Sequence, residues 1–173
     1  MQINIVKVGY LETNCYVLVN NNKCLIIDPG DENDKIINEI KNYEVVGILI
    51  THRHFDHIGA LHDILEIYKV PVFEFNNVEE KEYKIDEFKY RVIYTKGHTS
   101  DSISFYFLNE NIIFSGDFLF KNTIGRTDLE TSNYNEMLKS ISKIKEYDNN
   151  IYVYPGHGDM TLLGHEKKYN PYF

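Results

Sequence analysis

The heptapeptide THRHFDH, residues 51–57, follows the apolar run VVGILI directly and sets three histidines and an aspartate within seven positions. A continuous β-branched run reads as a strand buried on both faces, so these polar side chains cluster at the end of a buried sheet strand. His52 and His54 are two apart. In extended chain, positions i and i+2 point to one side, and both imidazoles can reach a single ion. Asp56 and His57 stand where the chain turns into the next helix and can serve a neighbouring ion, although Asp56 also stands where a helix cap would. Three histidines and an aspartate at this spacing point to a metal site rather than a polar turn.

A cluster in one loop needs partners, and they recur at the ends of other strand-like runs. TKGHTSDS places His98 after RVIYT, FSGDFLF places Asp117 after NIIF, and YPGHGD places His157 after IYVY. Strand C-terminal edges are where α/β proteins carry their sites. His52, His54, Asp56, His57, His98, Asp117 and His157 make seven candidate ligands, too many for one four-coordinate ion. They suit two divalent ions sharing the carboxylate of Asp117. Without cysteine among the ligands, a closed structural zinc is not expected, and positions remain for water. Two ions ~3.5–4 Å apart hold a hydroxide and polarise a carbonyl or phosphoryl oxygen, which is the chemistry of hydrolysis. Zinc is the first expectation, with iron or manganese as alternatives for the same donors.

The rest of the chain supplies a β-rich frame. INIVKV alternates as a strand does, CYVLV and CLIID flank an asparagine turn, and residues 31–43 read as a helix with Ile36, Ile37 and Ile40 as its stripe. Residues 56–69 read as one helix with Ile58, Leu61, Leu65 and Tyr68 along a face. VPVFEF, KYRVIYT, ISFYFL, NIIFSGD and IYVY read as strands, NYNEMLKSISKIKEY as a helix, and GHEKKYNPYF as a polar tail. YVLVNNNKCLIID and FYFLNENIIFSGD echo each other, each followed by a helix and a strand that runs into histidine. Two matching β/α halves imply sheets packed inside and helices outside.

With 173 residues and no linker-like stretch, residues 1–173 are expected to form one domain. The net charge of −8 gives no footprint for nucleic acid or an anionic membrane surface, and no apolar run approaches a membrane span. MQINIVKVGY lacks the features of a signal peptide, and Cys15 and Cys24 read as buried thiols in a reducing compartment, so a cytoplasmic protein is expected. His62 and His165 lie away from these motifs and read as surface residues. The oligomeric state is not legible in the sequence.

THRHFDH, GHT, SGD and PGHG in that order resemble the metallo-β-lactamase superfamily, an αββα sandwich of binuclear metallohydrolases. TNCYVL, IIDPG, GRTDL and the ending PGHG…T…E…NP look most like small glyoxalase II-type hydrolases. The resemblance implies His52, His54 and His98 on one metal and Asp56, His57 and His157 on the other. Asp117 would lie between them, and Asp28 would orient a ligand histidine. Arg126 and Asp128 match a family loop. Ser100 and Asp101 stand where the family usually has Pro-Gly, and Phe118 where it often has Thr. Asp101 there would add charge near the cluster or bond a neighbouring amide. Glyoxalase II proper continues into a helical domain that binds glutathione, whose contacts are expected to be absent from a chain ending at Phe173.

The expected substrate is therefore a small acyl thioester, with Asp56 and Asp117 beside the attacking hydroxide. A thiolate departs without a strong acid, whereas an amide needs protonation. A mononuclear iron dioxygenase acting on glutathione persulfide, of the same superfamily, is the alternative. It would use His52, His98 and Asp117 and leave His157 without a role. A non-enzymatic metal-binding domain is the third class, and the complete ligand set argues against it.

Overall fold

The computed structural model describes residues 1–173. Strand β1 (Gln2–Val8) pairs antiparallel with β2 (Thr13–Asn20), which turns back into β3 (Lys23–Ile27). Asn21 and Asn22 make that turn with φ of 47° and 66°, the left-handed backbone of a two-residue hairpin that asparagine tolerates well. The chain leaves the sheet as α1 (Asn33–Ile40) and returns as β4 (Glu44–Leu49), parallel to β3. It then passes through α2 (Phe55–Ile58) and α3 (Leu61–Tyr68) to the short edge strand β5 (Val72–Phe73). The sheet order is β1-β2-β3-β4-β5.

A 3-10 turn at Phe75–Asn77 leads into the meander β6 (Glu82–Ile85), β7 (Phe88–Tyr94), β8 (Ile103–Phe107) and β9 (Ile112–Gly116). β10 (Leu119–Phe120) and β11 (Thr123–Ile124) form a separate small hairpin. Helix α4 (Tyr134–Ile144) then crosses to β12 (Tyr152–Pro155), parallel to β9, and β13 (Thr161–Leu162) precedes α5 (Leu163–Tyr169). This sheet runs β13-β12-β9-β8-β7-β6. The echo between the halves is structural: β2-β3-α1-β4 and β8-β9-α4-β12 are each a hairpin, a crossover helix and a parallel strand.

Alternation along the strands builds three apolar layers. Leu18, Leu25, Ile27 and Leu49 of the first sheet meet Tyr90, Phe105, Phe107 and Phe114 of the second. Val17, Ile26 and Ile48, on the opposite face, pack under Ile36 and Ile40 of α1 and Ile64 of α3. Ile93, Ile113 and Val153 pack under Met137, Ile141 and Ile144 of α4. The result is the expected αββα sandwich. Cys15 and Cys24 are free and buried, and burial pushes the Cys24 thiol up to about 12. No helix is long and apolar enough to cross a membrane.

Two sequence expectations need correction. The helix expected over residues 56–69 is broken at Gly59–Ala60 into α2 and α3. The Ala60 N–H donates to the Pro29 carbonyl at 3.0 Å, outside its own helix. The loop after β3 presses so closely on α2 that any side chain at Gly30 would overlap the Asp56 carbonyl. Propensity alone could not reveal this tertiary contact.

The polar tail contains α5, and its Glu166 is fully buried. That carboxylate accepts the Asn122 N–H at 2.9 Å, the Asn170 side-chain amide at 2.8 Å and the Thr161 hydroxyl at 2.5 Å. Glu166→Ala leaves these donors unpaired and is expected to cost about 3 kcal/mol of stability in urea unfolding. A loss below about 0.5 kcal/mol would mean that apolar contacts alone hold the tail.

Candidate metal centre

Five strands deliver their C-terminal ends to one place. Asp28 follows β3, the 52–57 segment follows β4, and His98, Asp117 and His157 follow β7, β9 and β12, which run the same way. The seven expected side chains meet there. His54 Nδ1 lies 3.0 Å from both His52 Nε2 and His98 Nε2. Asp56 Oδ2 lies 3.2 Å from His157 Nε2 and 3.6 Å from His57 Nε2. Asp117 faces imidazoles of both groups: Oδ1 is 3.4 Å from His57 Nε2, and Oδ2 is 3.5 Å from His98 Nε2 and 3.6 Å from His157 Nε2.

These separations fit ions. Ligand atoms about 2.1 Å from a tetrahedral centre stand roughly 3.4 Å from one another. His52, His54 and His98 form one group of potential ligands, Asp56, His57 and His157 a second, and His52, His57 and Asp117 link them. His57 Nε2 and Asp117 Oδ1 are buried with no hydrogen-bond partner. Such orphaned atoms are costly, and a cation between them would satisfy both.

The rings are oriented from behind. His57 Nδ1 is 2.9 Å from Asp28 Oδ2, and Asp28 also accepts the Thr51 N–H at 2.8 Å and its hydroxyl at 2.6 Å. His98 Nδ1 donates to the Arg126 carbonyl at 2.9 Å and His157 Nδ1 to the Leu11 carbonyl at 3.0 Å. A carbonyl only accepts, so the proton sits on Nδ1 and each Nε2 lone pair points inward. Asp56 caps no helix. His54 occupies the cap position of α2, and the Asp56 carboxylate accepts the Thr13 hydroxyl at 3.1 Å.

The charges follow from this packing. Burial, then the neighbouring imidazoles, push His52 well below the usual histidine range and keep it neutral. Burial opposes a charge on His57 too, but Asp28 and Asp117 outweigh it and carry the ring up to about 10. Burial works against ionisation of Asp56 and Asp117 as well. His157 and His57 hold Asp56 low, and His57, His157 and His98 do so for Asp117.

Other sequence-flagged residues fall outside the cluster. Phe118 is buried beside Met137 in the outer core. The Thr99 amide bonds the Ser102 hydroxyl at 3.2 Å, the role considered for Asp101. Arg126 and Asp128 form a two-point exposed ion pair at 2.6 and 2.8 Å, while the Arg126 carbonyl does the orienting. His62 is exposed and His165 bonds Asn122, both as surface residues do. Sequence reasoning missed the Leu11 and Arg126 carbonyls because a backbone acceptor leaves no residue-type signal. Gly156 is a further requirement: a side chain there would strike Asp117 Oδ1 and come within 2.6 Å of His57 Cε1.

A cavity of about 550 Å³ opens over the cluster, walled by Leu11, Phe55 and Leu129, with Arg126 at its rim. A groove of about 540 Å³, lined by Arg53, Ser100, Asp101 and Glu130, continues from His54 and Leu129.

Residues 8–82 and 74–157, which contain every member of the cluster, match the family described as the Metallo-beta-lactamase superfamily. The chain belongs to that superfamily. Metallo-beta-lactamase superfamily members bind divalent metal ions, often two. A probable metallo-hydrolase of Streptococcus pyogenes serotype M6 is 33% identical, covering 92% of this chain and 85% of its own length. Hydroxyacylglutathione hydrolase GloC of Haemophilus influenzae is 28% identical over 99% and 98% of the two chains. Among solved structures of the superfamily fold, BLEG-1 B3 metallo-beta-lactamase superposes with a TM-score of 0.94, at 31% identity over 99% of each chain. TTHA1623 in a di-iron-bound form superposes with a TM-score of 0.91, at 27% identity over 98% and 100%.

Proposed function

We propose that the chain is a binuclear metal-dependent hydrolase of a thioester, S-lactoylglutathione or a related small acyl thioester, working in the cytoplasm. The observation that carries this reading is Asp117, one carboxylate within 3.6 Å of imidazoles from both groups. His52, His54 and His98 would hold one ion and Asp56, His57 and His157 the other, with Asp117 between them. Zinc is the first choice, and iron or manganese suits the same donors. Bound there, the ions would polarise the substrate carbonyl and make water nucleophilic near neutral pH.

The chain's own residues do the rest. Asp28 and the Leu11 and Arg126 carbonyls keep three rings aimed inward. Leu11, Phe55 and Leu129 give the acyl or thiol chain an apolar wall. The cavity lining holds no Ser, Tyr or Lys, and Arg126 does not give up its proton. A departing amine would lack an acid, whereas a thiolate needs none. That lining supports a thioester over a lactam, and the likeness to GloC points the same way, while the likeness to BLEG-1 B3 metallo-beta-lactamase makes a lactam the substrate class to test beside it. A mononuclear iron dioxygenase would use only His52, His98 and Asp117, leaving the Asp56–His57–His157 group idle.

The deciding measurement is metal content of protein purified without chelator, followed by a panel of S-lactoylglutathione, other acyl thioesters and a chromogenic cephalosporin. About two ions per chain and thioester turnover are expected. A single iron that persists after metal supplementation, with oxygen consumed on a persulfide, would sink the hydrolase reading.

A further inference from the structure

We propose that the start of β2 is a clamp that sets the second metal group, with Asn14 as a positioning residue for His157. The inference rests on the binuclear reading above and names a part of the machinery outside the ligand set. His157 sits in a loop that its own sheet holds next to it through the Gly156 N–H, which donates to the Gly116 carbonyl of β9 at 2.9 Å. The register of β12 on β9 slips between Tyr154 and Pro155, and the loop continues through Gly158 at φ 74°. The slip re-aims the chain, and β12 ends at Pro155 opposite Gly116, two residues before the imidazole, so a second anchor from outside the sheet bears on its position.

The first half of the fold supplies it. The Asn14 N–H donates to the Gly156 carbonyl at 2.7 Å, and its side-chain amide donates to the carbonyls of Pro155 at 3.1 Å and Gly158 at 3.0 Å. These bonds reach both chain neighbours of His157. Thr13 forms an isolated antiparallel bridge with His157, and its hydroxyl holds Asp56, a second member of the same group. Leu11 accepts from His157 Nδ1. The Tyr16 hydroxyl adds a bond to the Pro155 carbonyl at 2.5 Å. Every one of these contacts serves Asp56, His157 or the loop that carries it. The His52–His54–His98 group is instead steadied by Thr51 and Arg126.

Asn14 keeps its amide at a cost. It is 1% exposed, and its Oδ1 is buried with no partner. Both neighbours of the side chain are carbonyls, so only the NH₂ can face them and the amide orientation follows. An apolar residue would fill the space without an orphaned oxygen. What it could not supply is the pair of donors, and those donors end on the loop of His157.

The test is zinc titration of metal-free protein against a chromophoric chelator, in wild type, Asn14→Asp, Asn14→Leu and the milder Tyr16→Phe. Asn14→Asp is nearly isosteric but sets a carboxylate against two carbonyls. Wild type is expected to bind zinc in two resolvable events. Both Asn14 variants should weaken one event about 10- to 100-fold, the range for groups that orient a ligand from behind. The other event should stay within about threefold, and Tyr16→Phe should shift the same event by a smaller factor. In the double variant Asn14→Asp/His157→Ala, the clamp should cost nothing beyond His157→Ala alone, because both changes act on one group.

Equal weakening of both events, with a matching fall in the melting temperature of the metal-free protein, would make Asn14 a general fold contact and overturn the clamp. Two intact events in every variant would overturn it as well, while leaving the binuclear reading standing. A wild-type protein that takes up only one zinc would remove that reading first, and the clamp with it.

Discussion

Asp117→Ala is expected to lower kcat/KM on the proposed thioester substrate by about 10³-fold or more, because several kcal/mol of charge stabilisation would depend on a correctly held metal pair. Asp117 is placed to touch both groups at once, through His57 on one oxygen and His98 and His157 on the other. Removing it takes a donor from both groups, whereas Asp56→Ala touches only the group of His57 and His157. The fold should survive. The Phe118 N–H bonds the Ser115 carbonyl and the Gly125 N–H bonds the Phe118 carbonyl, so backbone holds this loop without the carboxylate. The metal-free variant should still unfold cooperatively but melt somewhat lower than wild type near neutral pH, since His57, His157 and His98 favour the ionised carboxylate and His57 loses one of its two carboxylate partners. Steady-state kinetics with a metal count per chain decides the matter. Activity within tenfold of wild type with two ions retained would show that Asp117 is not the shared ligand, and the two-ion arrangement would need another bridge.

Much of this was legible because it rests on local signals. Strand alternation, the asparagine hairpin and the repeated hairpin-helix-strand order depend on short-range pattern, and the two halves appear in the structure as they do in the sequence. The seven polar residues stood out as a set, three histidines and an aspartate within seven positions and three further candidates after other strand-like runs. What the sequence hid is tertiary. The break at Gly59 follows from the approach of Gly30 to Asp56, a contact between segments 26 residues apart. Glu166 reads as one more charge in a polar tail, and only the packing of α5 shows its three donors converging. Asp28 before Pro-Gly reads from local pattern as an ordinary turn residue, and its expected role behind a ligand histidine comes from the family resemblance alone. Its contact with His57 Nδ1 appears only once β3 and β4 lie side by side and in parallel. Asn14 lies in TNCYVL, which carries part of the resemblance but assigns it no role, and its partners lie in the other half of the chain.

Stripping metal with a chelator should lower the melting temperature by about 10 °C, with recovery on adding zinc. A ligand present at a thousand times its dissociation constant stabilises the native state by about 4 kcal/mol, and a chain of this size shifts by roughly 2–4 °C per kcal/mol. The gain depends on preparation of the site before the ion arrives. Three Nδ1 atoms are already bonded, so their rings lose little freedom on loading. Burial keeps His52 neutral and ready to ligate. Against this, loading must displace the proton that Asp28 and Asp117 favour on His57, so the gain shrinks as pH falls. Unlike a zinc finger, the metal-free chain should still unfold cooperatively, because three apolar layers persist without any contribution from the cluster. A melting temperature indifferent to both chelator and zinc would mean that the folded protein does not bind the ion, whatever its imidazoles suggest. A chelated protein with no cooperative transition would mean instead that the two halves of the sandwich are held together at the metal centre rather than by the residues between the sheets.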